Sequence, residues 1–166
     1  MKILKPITNG EFTKYPDNCG LLEKDTYIFL AGPCPRKDYT DDWRYEAFAI
    51  LEKLGYTGTV ITPTNDQYMI YAEKDPEALR KQTEWETIGL NKADAIVFWV
   101  ARSEKHPAFT TNIEFGEWFK KEHAYVGWPP EAIKNNYMQI RCDMIGKKVY
   151  DNLEDMLTQV VNDLRK

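Results

Sequence analysis

Apolar positions along the chain alternate between two periods, and this alternation predicts an ordered series of strands and helices. Short, predominantly apolar runs mark strands covered on both faces. They fall at Tyr27–Ala31, Thr59–Thr62, Ala95–Val100 and His123–Trp128. Between them, apolar residues recur at helical spacing. Trp43, Ala47, Ile50, Leu51 and Leu54 share one face of a helix over 43–54, with Asp41 or Asp42 as the candidate cap and Gly55 as the stop. Further helices are expected over Glu77–Lys92 and from Thr111 to about Lys121. Val149-Tyr150 predicts a last short strand, followed by a helix over Leu153–Leu164 whose apolar residues lie on one face. The segment 131–144 stays open between helix and strand, because Tyr137–Cys142 is rich in β-forming residues.

Punctuating residues fill the rest. Pro6, Asn9-Gly10, Pro16 and Gly20 predict an irregular arm over 1–25, and 64–76 forms a polar connection. Strands alternating with helices imply an α/β chain, a Rossmann- or flavodoxin-like sandwich with a central, mostly parallel sheet of about five strands flanked by helices. At 166 residues the chain has the length of a single domain spanning 1–166.

Charge and composition narrow the partners. A net charge of -4 gives no basic face for a nucleic-acid polymer. No stretch approaches the roughly 20 apolar residues of a membrane span, and the apolar run at the N-terminus is too short for a signal peptide, so a cytoplasmic protein is expected. Cys19, Cys34 and Cys142 are odd in number and widely spaced, which points to free thiols rather than a disulfide framework or zinc site. Neither G-x-G-x-x-G nor a P-loop occurs, and no metal or cofactor is expected.

In an open parallel sheet, ligands bind beyond the carboxyl ends of the strands. Gly32-Pro33, the stretch Thr62–Asp66 and the stretch Arg102–Glu114 all follow strands and should gather on that edge. Gly32 permits close backbone approach and Pro33 stiffens the turn. Glu114 admits two readings. Thr111-x-x-Glu114 is a capping-box pattern, in which the carboxylate only returns to the helix start. Alternatively, a carboxylate in the first turn, kept ionised by the helix dipole, can serve as a nucleophile. A second carboxyl is required to assist a leaving group, and Glu84 and Glu86 are the candidates. Two residues apart on a helix, they point to different faces. Asp94 opens a strand at the opposite end and suits a structural role; His123 also opens a strand at the end away from the site, and His106 is expected to be an exposed loop histidine.

Several of these pieces recur in order in a known family. Ile28–Pro33, Trp85-Glu86 ahead of Leu90–Asp94, and Asn112-Ile113-Glu114-Phe115-Gly116 resemble the nucleoside 2-deoxyribosyltransferases and their nucleotide-hydrolysing relatives. The resemblance implies that Glu114 attacks the anomeric carbon and that Glu86, eight residues before Asp94, interacts with the base. It also implies a nucleoside or nucleotide and a free nucleobase as small-molecule partners, and a homo-oligomer. The sugar-binding aspartate of better-known members falls at Ala108 here, so Thr110, Thr111, Asn112, Asn65 and Asp66 are the candidate sugar contacts, beside Gly32 and Pro33. Deoxyribosyl transfer is the leading expectation. Hydrolysis of deoxynucleoside 5′-monophosphates and a non-catalytic nucleotide-binding module are the alternatives.

Overall fold

The computed structural model describes residues 1–6, 21, 25–35, 41–64 and 76–166. Among these residues six parallel strands form one sheet: β1 (Lys2–Leu4), β2 (Tyr27–Ala31), β3 (Thr59–Ile61), β4 (Ala95–Trp99), β5 (Ala124–Gly127) and β6 (Val149–Tyr150). The helices are α1 (Arg44–Lys53), α2 (Pro76–Lys92), α3 (Phe109–Trp118), α4 (Asn136–Asp143) and α5 (Leu153–Leu164). The α/β sandwich predicted from the hydrophobic pattern is present, with one strand more than expected.

Strand order is β1-β3-β2-β4-β5-β6. From β2 the chain crosses to β3 on one side, then returns to place β4 on the other. That reversal creates a switch point between the carboxyl ends of β2 and β4, where a parallel sheet offers a crevice. Register along this central pair runs from Ile28 opposite Ala95 to Ala31 opposite Phe98. Every residue of both strands is buried, which is why their sequences are apolar without alternation.

Alternate side chains feed two cores. On one face Phe29, Phe98 and Val126 pack with Trp85, Leu90, Phe115, Phe119 and Met138 from α2, α3 and α4. Phe115 stacks on Phe119 at 4.6 Å and meets Phe98 edge-on at 5.9 Å. On the other face Ile28, Leu30 and Val97 pack with Leu51, Met156, Leu157 and Val160 from α1 and α5. Burial of each such large side chain contributes on the order of 1.5–3 kcal/mol.

Two local expectations are corrected, one open stretch is resolved, and one of two cap candidates is selected. β1 lies inside the stretch expected to be an irregular arm; three residues carry too little pattern, and β1 exists because it pairs with β3, Lys2 opposite Thr59 and Leu4 opposite Ile61. The undecided 131–144 stretch contains helix α4, because Met138 and Cys142, four residues apart, both reach the core. Of the two cap candidates Asp42 serves: its Oδ1 accepts the backbone N–H of Arg44, the first residue of α1, at 3.1 Å, while Trp43 between them is already helical. Finally, α3 begins at Phe109 rather than Thr111. No helix among the described residues is long and apolar enough to cross a membrane.

Candidate active site

A narrow cleft of about 50 Å³ opens at the switch point, lined by Gly32, Cys34, Pro63, Gln82, Glu86, Thr110 and Glu114, with Leu79 and Thr83 at its edge. The turns after β2 and β3 supply two walls, and helices α2 and α3 supply the others. Gly32 leaves β2 in close packing: a Cβ there would strike the Trp99 carbonyl oxygen and lie 2.9 Å from the Trp43 ring. Only glycine fits that contact.

Glu86 and Glu114 enter from different helices. Gln82 and Glu86, one turn apart on α2, share a face, and the Gln82 side-chain amide donates to Glu86 at 2.8 Å and to the Pro63 carbonyl at 3.2 Å. One amide group thereby ties the acid to the end of β3. Trp118 Nε1 of α3 donates to Asn91 Oδ1 of α2 at 3.1 Å, which fixes the two helices to each other. Glu84 turns outward instead and pairs with Arg80 at 2.9 Å. The face that leads to the cleft therefore belongs to Glu86, as the family resemblance implied and helical spacing alone did not decide.

Both carboxyls titrate far above the ordinary range. Burial raises Glu86 to about 7, against the pull of Gln82 and the Arg44 charge. Burial raises Glu114 to about 8, with Glu86 adding to the effect and Arg44 opposing it. Between those two values Glu114 keeps its proton while Glu86 is ionised, so the pair carries a single proton. This corrects the expectation for Glu114. It lies in the second turn of α3, whose first turn contains no acidic residue, so it is neither a capping-box partner nor held ionised by the helix dipole. The N-cap of α3 is Ala108, in the left-handed conformation at φ 54° with no side-chain cap.

The other candidate residues divide. Thr110 lines the cleft beside Glu114, one turn away on α3. Thr111 is buried at 1% exposure in the packing of α3, and Asn112 is exposed and accepts from Arg102 at 2.5 Å, so neither lines the cleft. Pro33 is buried, its carbonyl accepting from Arg44, and its ring borders a neighbouring hollow of about 430 Å³ with Asp42, Trp43 and His106. His106 is buried rather than exposed. Asn65 and Asp66 lie outside the described residues. Asp94 has the structural role expected, accepting from the Tyr27 backbone N–H at 2.8 Å. Among the described residues no group of three or more His, Cys, Asp or Glu side chains could hold a metal ion.

Arg44 and Gln82 support the cleft from behind, Arg44 by bonding the Gly32 carbonyl and Gln82 by bonding Glu86, and neither was singled out in the sequence. Arg44 is completely buried. It shares the inward stripe of α1 with Ala47 and Leu51, and Gln82 shares that of α2 with Ala78, Trp85 and Gly89. A polar residue inside an apolar helical stripe was the available signal for both.

A model of the family described as nucleoside 2-deoxyribosyltransferase like matches residues 25–132, a span that contains every residue lining the cleft. No curated protein matches the chain.

Proposed function

The chain belongs to the nucleoside 2-deoxyribosyltransferase-like family, and from that premise we propose that it transfers 2-deoxyribose from a 2′-deoxynucleoside to a second nucleobase. The observation carrying this reading is the convergence of Glu86 and Glu114, from two helices, on one cleft at the switch point of the sheet.

In the reaction, a Glu114 carboxylate oxygen attacks the anomeric carbon as the C–N bond to the base breaks. The departing base nitrogen takes the bonding electron pair and a proton from Glu86. A deoxyribosyl ester on Glu114 and an ionised Glu86 result. The incoming base then attacks the same carbon through nitrogen, surrenders its N–H proton to Glu86 and displaces Glu114. Both carboxyls return to their starting state, so no metal or redox partner enters the balance. Absence of a 2′-hydroxyl on the sugar eases the oxocarbenium-like transition state, which suits a site built on two carboxyls.

A singly protonated pair supplies both roles at once. One member must be an acid and the other a base, and a coupled pair near neutrality provides that combination. In the free protein Glu114 retains its proton to higher pH. A base nitrogen accepting a hydrogen bond from Glu86 favours the reactive arrangement, in which Glu114 is ionised. Thr110 is the cleft-lining candidate for a sugar contact, together with the Gly32 backbone. A homo-oligomer belongs to the same reading, and the exposed apolar side chains Phe109, Ile113, Tyr137, Ile140 and Met144 on and beside α3 and α4 offer a surface for it.

Incubation with a deoxynucleoside and a different free base tests the assignment. The exchanged nucleoside is the expected product. Free deoxyribose released at the same rate without acceptor base would make the protein a hydrolase instead, and recovery of unchanged ligand would make it a binding module.

A further inference from the structure

Arg44 takes no part in the proposed bond changes, yet all five of its donors are engaged beside the cleft. It is 0% exposed at the start of α1. A guanidinium has five N–H donors in a fixed fork, and here five contacts meet them. Nε donates to the Leu30 carbonyl at 3.1 Å. Nη1 donates to the Pro33 carbonyl and to Asp42 Oδ1, each at 3.0 Å. Nη2 donates to the Gly32 carbonyl at 3.0 Å and approaches Cys34 Sγ at 3.7 Å. Gly32 and Cys34 are themselves cleft-lining residues, so the fork holds the turn that forms one wall of the site.

Asp42 extends the clamp. Its second carboxylate oxygen accepts from Thr64 Oγ1 at 2.9 Å, just past the end of β3. Arg44 and Asp42 thereby bind the ends of β2 and β3 to α1. The titratable groups facing the cluster are Asp42 before α1, Cys34 after β2, Glu86 on α2 and Glu114 on α3. His106, Asp41 and Glu46 border the hollow on the far side of Pro33. Among the described residues, Arg44 is the cation whose charge acts on both glutamates.

We propose that Arg44 is a positioning residue of the catalytic cleft, fixing the Gly32–Cys34 turn and setting a buried positive charge behind that wall. The inference rests on the pairing of Glu86 and Glu114 in the proposed reaction, but the charge and geometry can be tested without turnover. A buried cation lowers the free energy of the ionised carboxylates beside it. Lysine would keep the charge and lose the fork; methionine would lose both.

The test is a carbon-13 NMR titration of side-chain-labelled glutamate in the wild type, Arg44→Met and Arg44→Lys, with Glu86→Gln and Glu114→Gln to assign signals. In Arg44→Met the two carboxyl midpoints should rise, since a cation that favours the ionised forms is removed. In Arg44→Lys they should stay nearer the wild type, while the backbone amide signals of Gly32 and Cys34 shift and any base-exchange rate falls by about tenfold or more. Unmoved midpoints in a folded Arg44→Met protein overturn the proposal. If Arg44→Met does not fold, unchanged Gly32 and Cys34 signals in Arg44→Lys overturn it, and displaced signals support it. A wild type that exchanges no base but shows these Arg44-dependent titrations would refute the proposed activity and leave the role of Arg44 standing.

Discussion

Gln82 donates to Glu86 and to the Pro63 carbonyl with the same amide group, so the acid on α2 is aimed from the end of β3. Glu114 approaches the same cleft from α3. The two glutamates are thus set by separate supports and interact through charge, an arrangement that separates their roles in mutagenesis.

Glu114→Gln should reduce base exchange by about 10³-fold or more, because no other carboxylate replaces the nucleophile. Glu86→Gln should cost about 10²–10⁴-fold, the usual contribution of a general acid. Glu84→Gln, on the exposed face, should leave the rate unchanged. Mass spectrometry of the wild type quenched with substrate should find one deoxyribosyl unit on Glu114. A label on Glu86 instead would reverse the assigned roles.

Acid and base limbs follow from the raised carboxyls. The singly protonated pair accumulates between about 7 and about 8, so kcat/KM should be bell-shaped with its maximum in that interval. A profile flat from pH 5 to 9 at roughly constant rate would contradict a singly protonated pair as the active form.

The same shifts act on stability with a definite sign. Each folded-state value lies above the unfolded carboxylate value of 4.5, so the stabilising contribution is complete below that pH and is lost as pH rises through about 7 and about 8. Between about pH 6 and about pH 9 the wild type should lose Tm, and Glu86→Gln and Glu114→Gln should lose less. Calorimetry of the three proteins at the two pH values measures the difference.

Gly32→Ala should be destabilising by about 1–3 kcal/mol, since its new methyl group meets the backbone of β4 and the Trp43 ring, and backbone cannot move aside as a side-chain end can. Exchange activity should fall with it, because Gly32 is also a wall of the cleft. Denaturant midpoints and exchange rates on the same preparation report both effects.

Ala108 adopts φ 54° immediately before α3, a conformation that is unfavourable for alanine by roughly 1–2 kcal/mol. Ala108→Gly should therefore stabilise the protein by up to about 1 kcal/mol at the helix that carries Glu114. Ala108→Asp places a residue that tolerates this conformation, and can cap α3, where the family resemblance implies a sugar contact. A lowered KM for deoxynucleoside with little change in kcat is the expected result.

The strands β2 and β4, helix α5 and the edge of the sheet that holds the site were legible in the sequence. Long apolar runs and a full amphipathic stripe are local signals, and a parallel sheet leaves one edge for ligands. Glu114, Glu86, Gly32 and Thr110 were likewise named from pattern and resemblance. Short β1 and the helical state of 136–143 were not legible, because pairing with β3 and packing of Met138 and Cys142 outweigh weak local preferences. Tertiary structure also decided the ionisation of the two carboxyls. Sequence could place Glu114 near a helix start but not reveal that α3 begins too early for the dipole to hold it ionised. Nor could it reveal that burial and the neighbouring Glu86 push it the other way. Ionisation depends on the solvent removed and the charges gathered within a few ångströms, and those are set by residues brought together from four separate segments of the chain.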